Sequence, residues 1–172
     1  YSPLFKKILI IASPNVQENF KLQLFDKDKL IKKNGIWNLD GCVGESLLQE
    51  MKFFDIERLS KEDIILKMEK QIKKHYEFMG YIEFANKMNK IFFAEDKTKM
   101  KKMKQKLKIE FAEKMIVVDE VHNIRTTGES KKTKQVSTAF QQLLSYVKHL
   151  KLLFLSGTPM YNDPTEIVFL IN

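Results

Sequence analysis

Asp119 and Glu120 stand side by side directly after the apolar run at 115–118 (MIVV), and His122 follows. A short run of aliphatic residues reads as a strand buried on both faces. Side chains alternate along a strand, so its exit sends the two acids to opposite sides of the chain. One carboxylate is suited to hold a hard divalent cation, usually through water, because such an ion takes an octahedral oxygen shell. The other is suited to polarise a water for attack on a phosphate. The pattern alone is also that of an ordinary strand exit with solvated acids. A second apolar run, 152–155, ends in Ser156-Gly157-Thr158-Pro159, which sets two hydroxyls where a neighbouring strand's carboxylates can meet them. Ser, Gly and Pro are common turn residues as well. The two strand ends together, with a helix between them, point to nucleotide hydrolysis.

Elements able to position these groups follow from periodicity. Residues 7–13 (KILIIAS) form an apolar strand stopped by Pro14, and Asn15 is placed to cap a helix carrying Val16, Phe20 and Leu24. Residues 27–44 read as irregular, with Gly35, Trp37, Gly41 and Gly44, and 45–51 as a short helix. Ser60 with Asp63 starts another helix, whose face is Ile64, Ile65, Met68 and Ile72. Residues 75–79 fit either a continuation of that helix or a short strand. After Gly80, Phe84, Ala85, Met88 and Ile91 recur at helical spacing over 81–93. Residues 123–134 are polar and read as a loop, and 136–150 as an amphipathic helix. A last helix begins at Asp163, with Pro164 at its first position and Glu166 closing the box. Strands separated by helices imply parallel pairing through crossovers, hence an α/β sheet covered on both faces. Ligands of such sheets bind beyond the carboxyl ends of the strands.

The chain has 172 residues, 44% of them hydrophobic and 30% charged, a globular balance sufficient for one domain. A net charge of +8 favours an anionic partner such as nucleic acid. Much of the excess sits at 94–108, seven lysines against Glu95 and Asp96, and reads as a solvated lysine-rich insertion. No apolar run is long enough to cross a bilayer. No basic-then-apolar leader opens the chain, and Cys42 has no internal disulfide partner, so a reducing, intracellular setting is expected. The phenylalanines and methionines fall largely at helix-core spacing. Trp37 is placed either to stack a base or to anchor its loop.

The sequence resembles superfamily 2 helicases. VVDEVH at 117–122 resembles motif II, the DExH box; LSGTPMYN at 155–162, followed by DPTEIVFL at 163–170, resembles motif III and its helix. ILIIASPN at 8–15 resembles motif Ia, and HYEFMGYIEFAN at 75–86 sits where motif Ib would fall. Within the superfamily the likeness is to the Snf2-like branch and to the helicase-like early transcription factors of large cytoplasmic DNA viruses. It is clear over 114–172 and the first 25 residues.

The resemblance implies a RecA-like parallel sheet flanked by helices, using ATP and Mg²⁺. In it Asp119 coordinates Mg²⁺ and Glu120 orients the attacking water. His122 meets the nucleotide and, with Ser156 and Thr158, couples its state to the nucleic-acid surface. Ser13, Pro14 and Asn15 lie near the nucleic-acid backbone, and Gly80 and Tyr81 form a second contact. No G-x-x-x-x-G-K-[ST] loop occurs in the chain, and the family places that loop before motif Ia. The expectation is therefore a partial N-terminal RecA-like domain over 1–172, with the phosphate loop upstream of Tyr1 and a second RecA-like domain beyond Asn172. The implied whole is an ATP-dependent DNA helicase or translocase of viral early transcription, working in the virion or host cytoplasm. Its implied partners are DNA, with RNA as the alternative, and a viral RNA polymerase or transcription-factor subunit, with no membrane. Two other readings stay open. One is an ATPase-dead module that binds nucleic acid or polymerase through its lysines. The other is a metal-dependent nuclease or phosphatase built on Asp119 and Glu120.

Overall fold

Aliphatic runs leave a strand no polar face, and in the computed structural model three such runs, at 8–12, 115–118 and 152–155, lie side by side in one sheet. The structure describes residues 5–39, 58–93, 100–124, 131–148 and 150–157. Along the chain run β1 (Lys7–Ile11), α1 (Pro14–Leu24), β2 (Leu30–Lys33), β3 (Ile36–Leu39), α2 (Lys61–His75), β4 (Tyr76–Met79), α3 (Tyr81–Phe93), α4 (Met100–Phe111), β5 (Lys114–Val118), α5 (Lys131–Tyr146) and β6 (Lys151–Phe154). They divide into two units, one of residues 1–13 with 77–172, the other of 14–76.

The first unit is a sheet of order β4-β1-β5-β6 flanked by helices, a partial RecA-like α/β domain. β1 pairs with β5 in parallel, Ile11 opposite Val118, and β5 pairs with β6 in parallel, Val118 opposite Phe154. Alternate residues Leu9 and Ile11 of β1, and Ile116 and Val118 of β5, join one cluster with Phe84 and Met88 of α3, Leu107 and Phe111 of α4, and Phe140 and Leu143 of α5. Ile10 and Val117 alternate to the opposite face and are buried too, as an unbroken apolar run requires. Phe84 anchors the cluster, its ring 4.4 Å from Phe140 and edge-on to Phe111 at 6.2 Å.

Several elements sharpen the reading from sequence. Residues 76–79 are a strand: the helix stops at His75, and Tyr76 already has extended dihedrals. α1 begins at Pro14, whose fixed φ suits a first helical position, ahead of the Asn15 cap. α5 begins at Lys131 rather than Val136, extended by a turn of straight-chain Lys and Gln residues that favour helix. The lysine-rich segment runs into α4, which covers its residues from Met100 on. Met103, Leu107 and Phe111 recur every fourth position and are buried, while Lys101, Lys102, Lys104, Lys106 and Lys108 are exposed. One face of the segment is solvated and the other belongs to the core. Residues 94–99 and the helices expected at 45–51 and after Asp163 lie outside the described residues.

Four charges tie the first unit together where β5 begins. Lys114 Nζ reaches Glu77 and Glu110, each at 2.7 Å; Lys87 Nζ reaches Glu77 at 3.1 Å and Glu110 at 2.6 Å. β4, α3, α4 and β5 each contribute one member. Burial pushes both carboxyls upward, but Lys114 and Lys87 outweigh it and hold Glu77 and Glu110 below the usual carboxylate range. Burial pulls Lys87 down, and its two carboxylate partners more than reverse that.

In the second unit Leu30, Leu39, Ile64 and Met68 form the core, with Phe25, Trp37 and Ile72 packed against it. Residues 30–39, read from sequence as irregular, form an antiparallel hairpin. Asn34 (φ 51°) and Gly35 (φ 81°) both take the left-handed conformation, as a type I′ turn demands. Trp37 stands opposite Lys32 across the hairpin, with the Lys32 ammonium 5.3 Å from its ring, so it anchors the hairpin to this core. Ser60 caps α2 as its spacing to Asp63 indicates, accepting from the Asp63 N–H at 3.1 Å.

Candidate nucleotide-hydrolysis site

Parallel register brings the carboxyl ends of β1, β5 and β6 to one edge. The ladder runs on past the strands: Asp119 N–H donates to Ile11 O at 3.0 Å, and Leu155 N–H to Val118 O at 2.8 Å. The chain then turns at Glu120, whose φ of 45° is left-handed. That conformation costs a non-glycine residue about 1–3 kcal/mol, and it clusters at functional sites. Val121 and Ile124, in the following 3₁₀ turn, are buried in the core, and Val121 N–H donates to Leu155 O at 3.0 Å. Anchors on both sides hold the strained residue in place.

His122 lies on this turn with its side chain 18% exposed. Its Nδ1 is 3.1 Å from Ser156 Oγ, just beyond β6. The same nitrogen is 3.2 Å from Glu120 Oε2, near enough to pair when the ring is charged but not aligned as a hydrogen bond. Glu120 Oε2 is shielded from solvent and has no hydrogen-bond donor of its own. A bare acceptor at a strand end suits a water or a metal-bound water. Asp119, beside it, has its carboxyl raised, first by burial and then by the Glu120 charge, against the Glu120 N–H and His122, which favour the anion. A divalent cation relieves that pressure. Among the described residues no three His, Cys, Asp or Glu side chains gather into a protein-built metal cage. Mg²⁺ needs no such cage, since it is held through one or two carboxylates with substrate phosphates completing its shell. Asp119 and Glu120 fit that role.

Asp119, Glu120, His122 and Ser156 thus come together, and Tyr81 joins them, its hydroxyl donating to the Asp119 carbonyl. Sequence reasoning placed Tyr81 at a nucleic-acid contact and missed this link; nothing in the local pattern marks where a tyrosine hydroxyl will go. Gly80 starts α3, its N–H donating to Glu83 Oε2 at 3.3 Å and its carbonyl accepting from Phe84 N–H at 2.9 Å. Ser13 is exposed at the carboxyl edge of β1. Pro14 and Asn15 are exposed in the first turn of α1 and belong to the second unit. Thr158 lies outside the described residues.

A parallel α/β sheet with paired carboxylates at a strand end has the form of a nucleotide-binding α/β domain, in which ligands lie beyond the carboxyl ends of the strands. Within that class, the chain belongs to the ResIII family, that of the type III restriction enzyme res subunit, whose model matches residues 42–161; it is a helicase-type domain. It is 26% identical over 170 residues to a protein of Acanthamoeba polyphaga mimivirus that carries the name of a candidate ATP-dependent RNA helicase. That match takes in 88% of this chain and 14% of the viral protein. It is 31% identical over 106 residues to a protein of Invertebrate iridescent virus 3 named as a candidate helicase, covering 62% of this chain and 10% of the relative. The chain therefore spans a small part of the relatives it matches. No solved structure matches it. No helix among the described residues is long and apolar enough to cross a membrane.

Proposed function

We propose that the chain is the first RecA-like domain of an ATP-dependent DNA motor serving early transcription in a large DNA virus, with 119–122 as its DExH box. The observation that carries this reading is the contact of His122 Nδ1 with Ser156 Oγ at 3.1 Å, beside Glu120 Oε2, which accepts no hydrogen bond. It joins the strand end suited to hydrolysis to the strand end suited to relay. The viral origin of both relatives supports the setting.

In this reading Asp119 would hold Mg²⁺, and Glu120 would hold the attacking water and receive its proton. Bound Mg²⁺ would supply charge neutralisation at the phosphates. The phosphate loop and the second RecA-like domain belong to other parts of the full-length protein. DNA is the proposed track; the name of the mimivirus relative favours RNA as the second reading.

The test is Glu120→Gln in the full-length protein. Nucleotide binding persists, while hydrolysis falls by roughly 100-fold or more, the usual worth of a positioned general base. Stimulation of the wild type by DNA rather than RNA supports the proposed track, and the reverse supports the second reading. Unimpaired hydrolysis by Glu120→Gln removes the assignment. The 172-residue chain alone, lacking a phosphate-gripping loop, is expected to hydrolyse no ATP.

A further inference from the structure

The peptide unit between Asp119 and Glu120 is held differently from its neighbours. The Asp119 N–H before it is fixed by the ladder to Ile11, and the Val121 N–H after it by Leu155. The carbonyl of the unit itself, on Asp119, accepts from the Tyr81 hydroxyl, contributed by the first turn of α3. That rigid plane therefore has the Tyr81 hydroxyl at its carbonyl and, at one edge, the Asp119 Cα that bears the metal-binding carboxylate. Rotating that plane changes ψ of Asp119, whose Cα carries that carboxylate, and φ of Glu120, which already stands at 45°.

Tyr81 is well placed to fix such a plane. Its ring packs against the core, and the next turn of α3 supplies Phe84, fully buried between α4 and α5. The corner before it is closed by the Gly80–Glu83 and Phe84–Gly80 bonds. The hydroxyl is thus delivered from a rigid helix start, two strands away from β5 in the sheet order.

We infer that Tyr81 is a positioning residue for the hydrolytic turn: its hydroxyl sets the Asp119–Glu120 peptide and so ties the Gly80–Tyr81 corner to the metal-binding carboxylate. The metal half of this inference rests on the function proposed above; the tie itself rests on geometry alone. The hydroxyl acts inward on the site, and any contact of this corner with nucleic acid reaches the carboxylates through it.

The test is Tyr81→Phe in the full-length protein, which keeps the ring and removes only the hydroxyl. Hydrogen exchange at the amides of residues 119–121 is expected to quicken, with little change in melting temperature. Mn²⁺ affinity of the nucleotide complex, read by electron paramagnetic resonance, is expected to fall about tenfold, as when a residue behind a metal ligand is lost. Nucleic-acid affinity stays as in the wild type. Unchanged exchange overturns the tie. So does a fall in nucleic-acid affinity with metal affinity intact, which makes the hydroxyl a nucleic-acid contact, or a fall in melting temperature alone, which makes it packing. Should the wild type hydrolyse no ATP, the functional reading fails, and the exchange measurement, which needs no nucleotide, still decides the tie.

Discussion

His122 Nδ1 stands 3.1 Å from Ser156 Oγ, linking the turn after β5 to the chain leaving β6. The two residues are far apart in sequence and meet because β5 and β6 are parallel neighbours in register, Val118 opposite Phe154. Glu120 lies 3.2 Å from the same ring nitrogen. A shift of the β6 end therefore changes which partner the imidazole serves, and with it the surroundings of the carboxylate proposed to orient water.

Ser156→Ala separates relay from chemistry. It removes a hydroxyl and no charge, so basal ATP hydrolysis by the full-length protein should survive. Nucleic-acid stimulation should fall by about fivefold or more, the scale of an ordinary coupling between sites. Steady-state ATPase with and without nucleic acid measures both. Loss of basal activity as complete as in Glu120→Gln would place Ser156 in the chemistry instead.

The fold holds the Asp119 carboxyl against its charged form. Burial and the Glu120 charge raise its carboxyl, so the folded protein takes up that proton more readily than the unfolded chain. Stability from this group is full below the unfolded carboxylate range and is lost as pH rises through the folded value. At neutral pH the ionised form is thus destabilising, and Asp119→Asn should raise the melting temperature while abolishing Mg²⁺-dependent hydrolysis. The gain should shrink as pH falls into the carboxylate range, where the wild type is protonated too. A lower melting temperature for the variant at neutral pH would contradict the assignment.

Strands β1, β5 and β6 are legible in the sequence because runs such as ILII and MIVV leave no choice of face. The Ser60 cap is legible because its geometry is local. The hairpin at 30–39 escapes that reading: its strands are short and mostly exposed, and the one strong signal is the Asn34-Gly35 pair. At the site, Asp119, Glu120, His122 and Ser156 stand out by their place at strand ends. The Tyr81 bond does not, since it spans 38 positions and exists only because β1 lies between β4 and β5. The core role of α4 is obscured for a different reason, three apolar residues being diluted among many lysines.

α4 yields a paired prediction. Changing Lys101, Lys102, Lys106 and Lys108 to Gln keeps helix propensity and leaves the buried stripe alone. If the lysines form only a solvated face, nucleic-acid-stimulated ATPase and its salt dependence remain those of the wild type. A marked fall in the salt slope would show that they track phosphates. Leu107→Ala, in contrast, should lower stability by about 2–5 kcal/mol, because it empties a fully buried position. Chemical denaturation of the two proteins distinguishes face from core.

The Glu77–Lys87–Glu110–Lys114 cluster predicts how the first unit responds to acid. Glu77 and Glu110 are held below the usual carboxylate range by the two lysines. Their contribution to stability is therefore present above the unfolded carboxylate value and is lost as pH falls through the lower folded one. Lys87, held above its ordinary value, contributes below the unfolded lysine range and loses that contribution only in strong alkali. Between those limits Glu77, Glu110 and Lys87 are all charged. Lys114 is its least exposed member, at 14%, and its ammonium touches both acids. Lys114→Met keeps the aliphatic stem and leaves Glu77 and Glu110 with Lys87 alone. The expected cost at neutral pH is roughly 1–3 kcal/mol, between the worth of an exposed pair and that of a fully buried one. The deficit should narrow as pH falls, because the wild type then loses the same ion pairs. Denaturation midpoints of both proteins from neutral to acid pH measure it, and a deficit independent of pH would assign the effect to packing of the lysine stem against Phe111, whose ring lies 5.7 Å from the Lys114 ammonium.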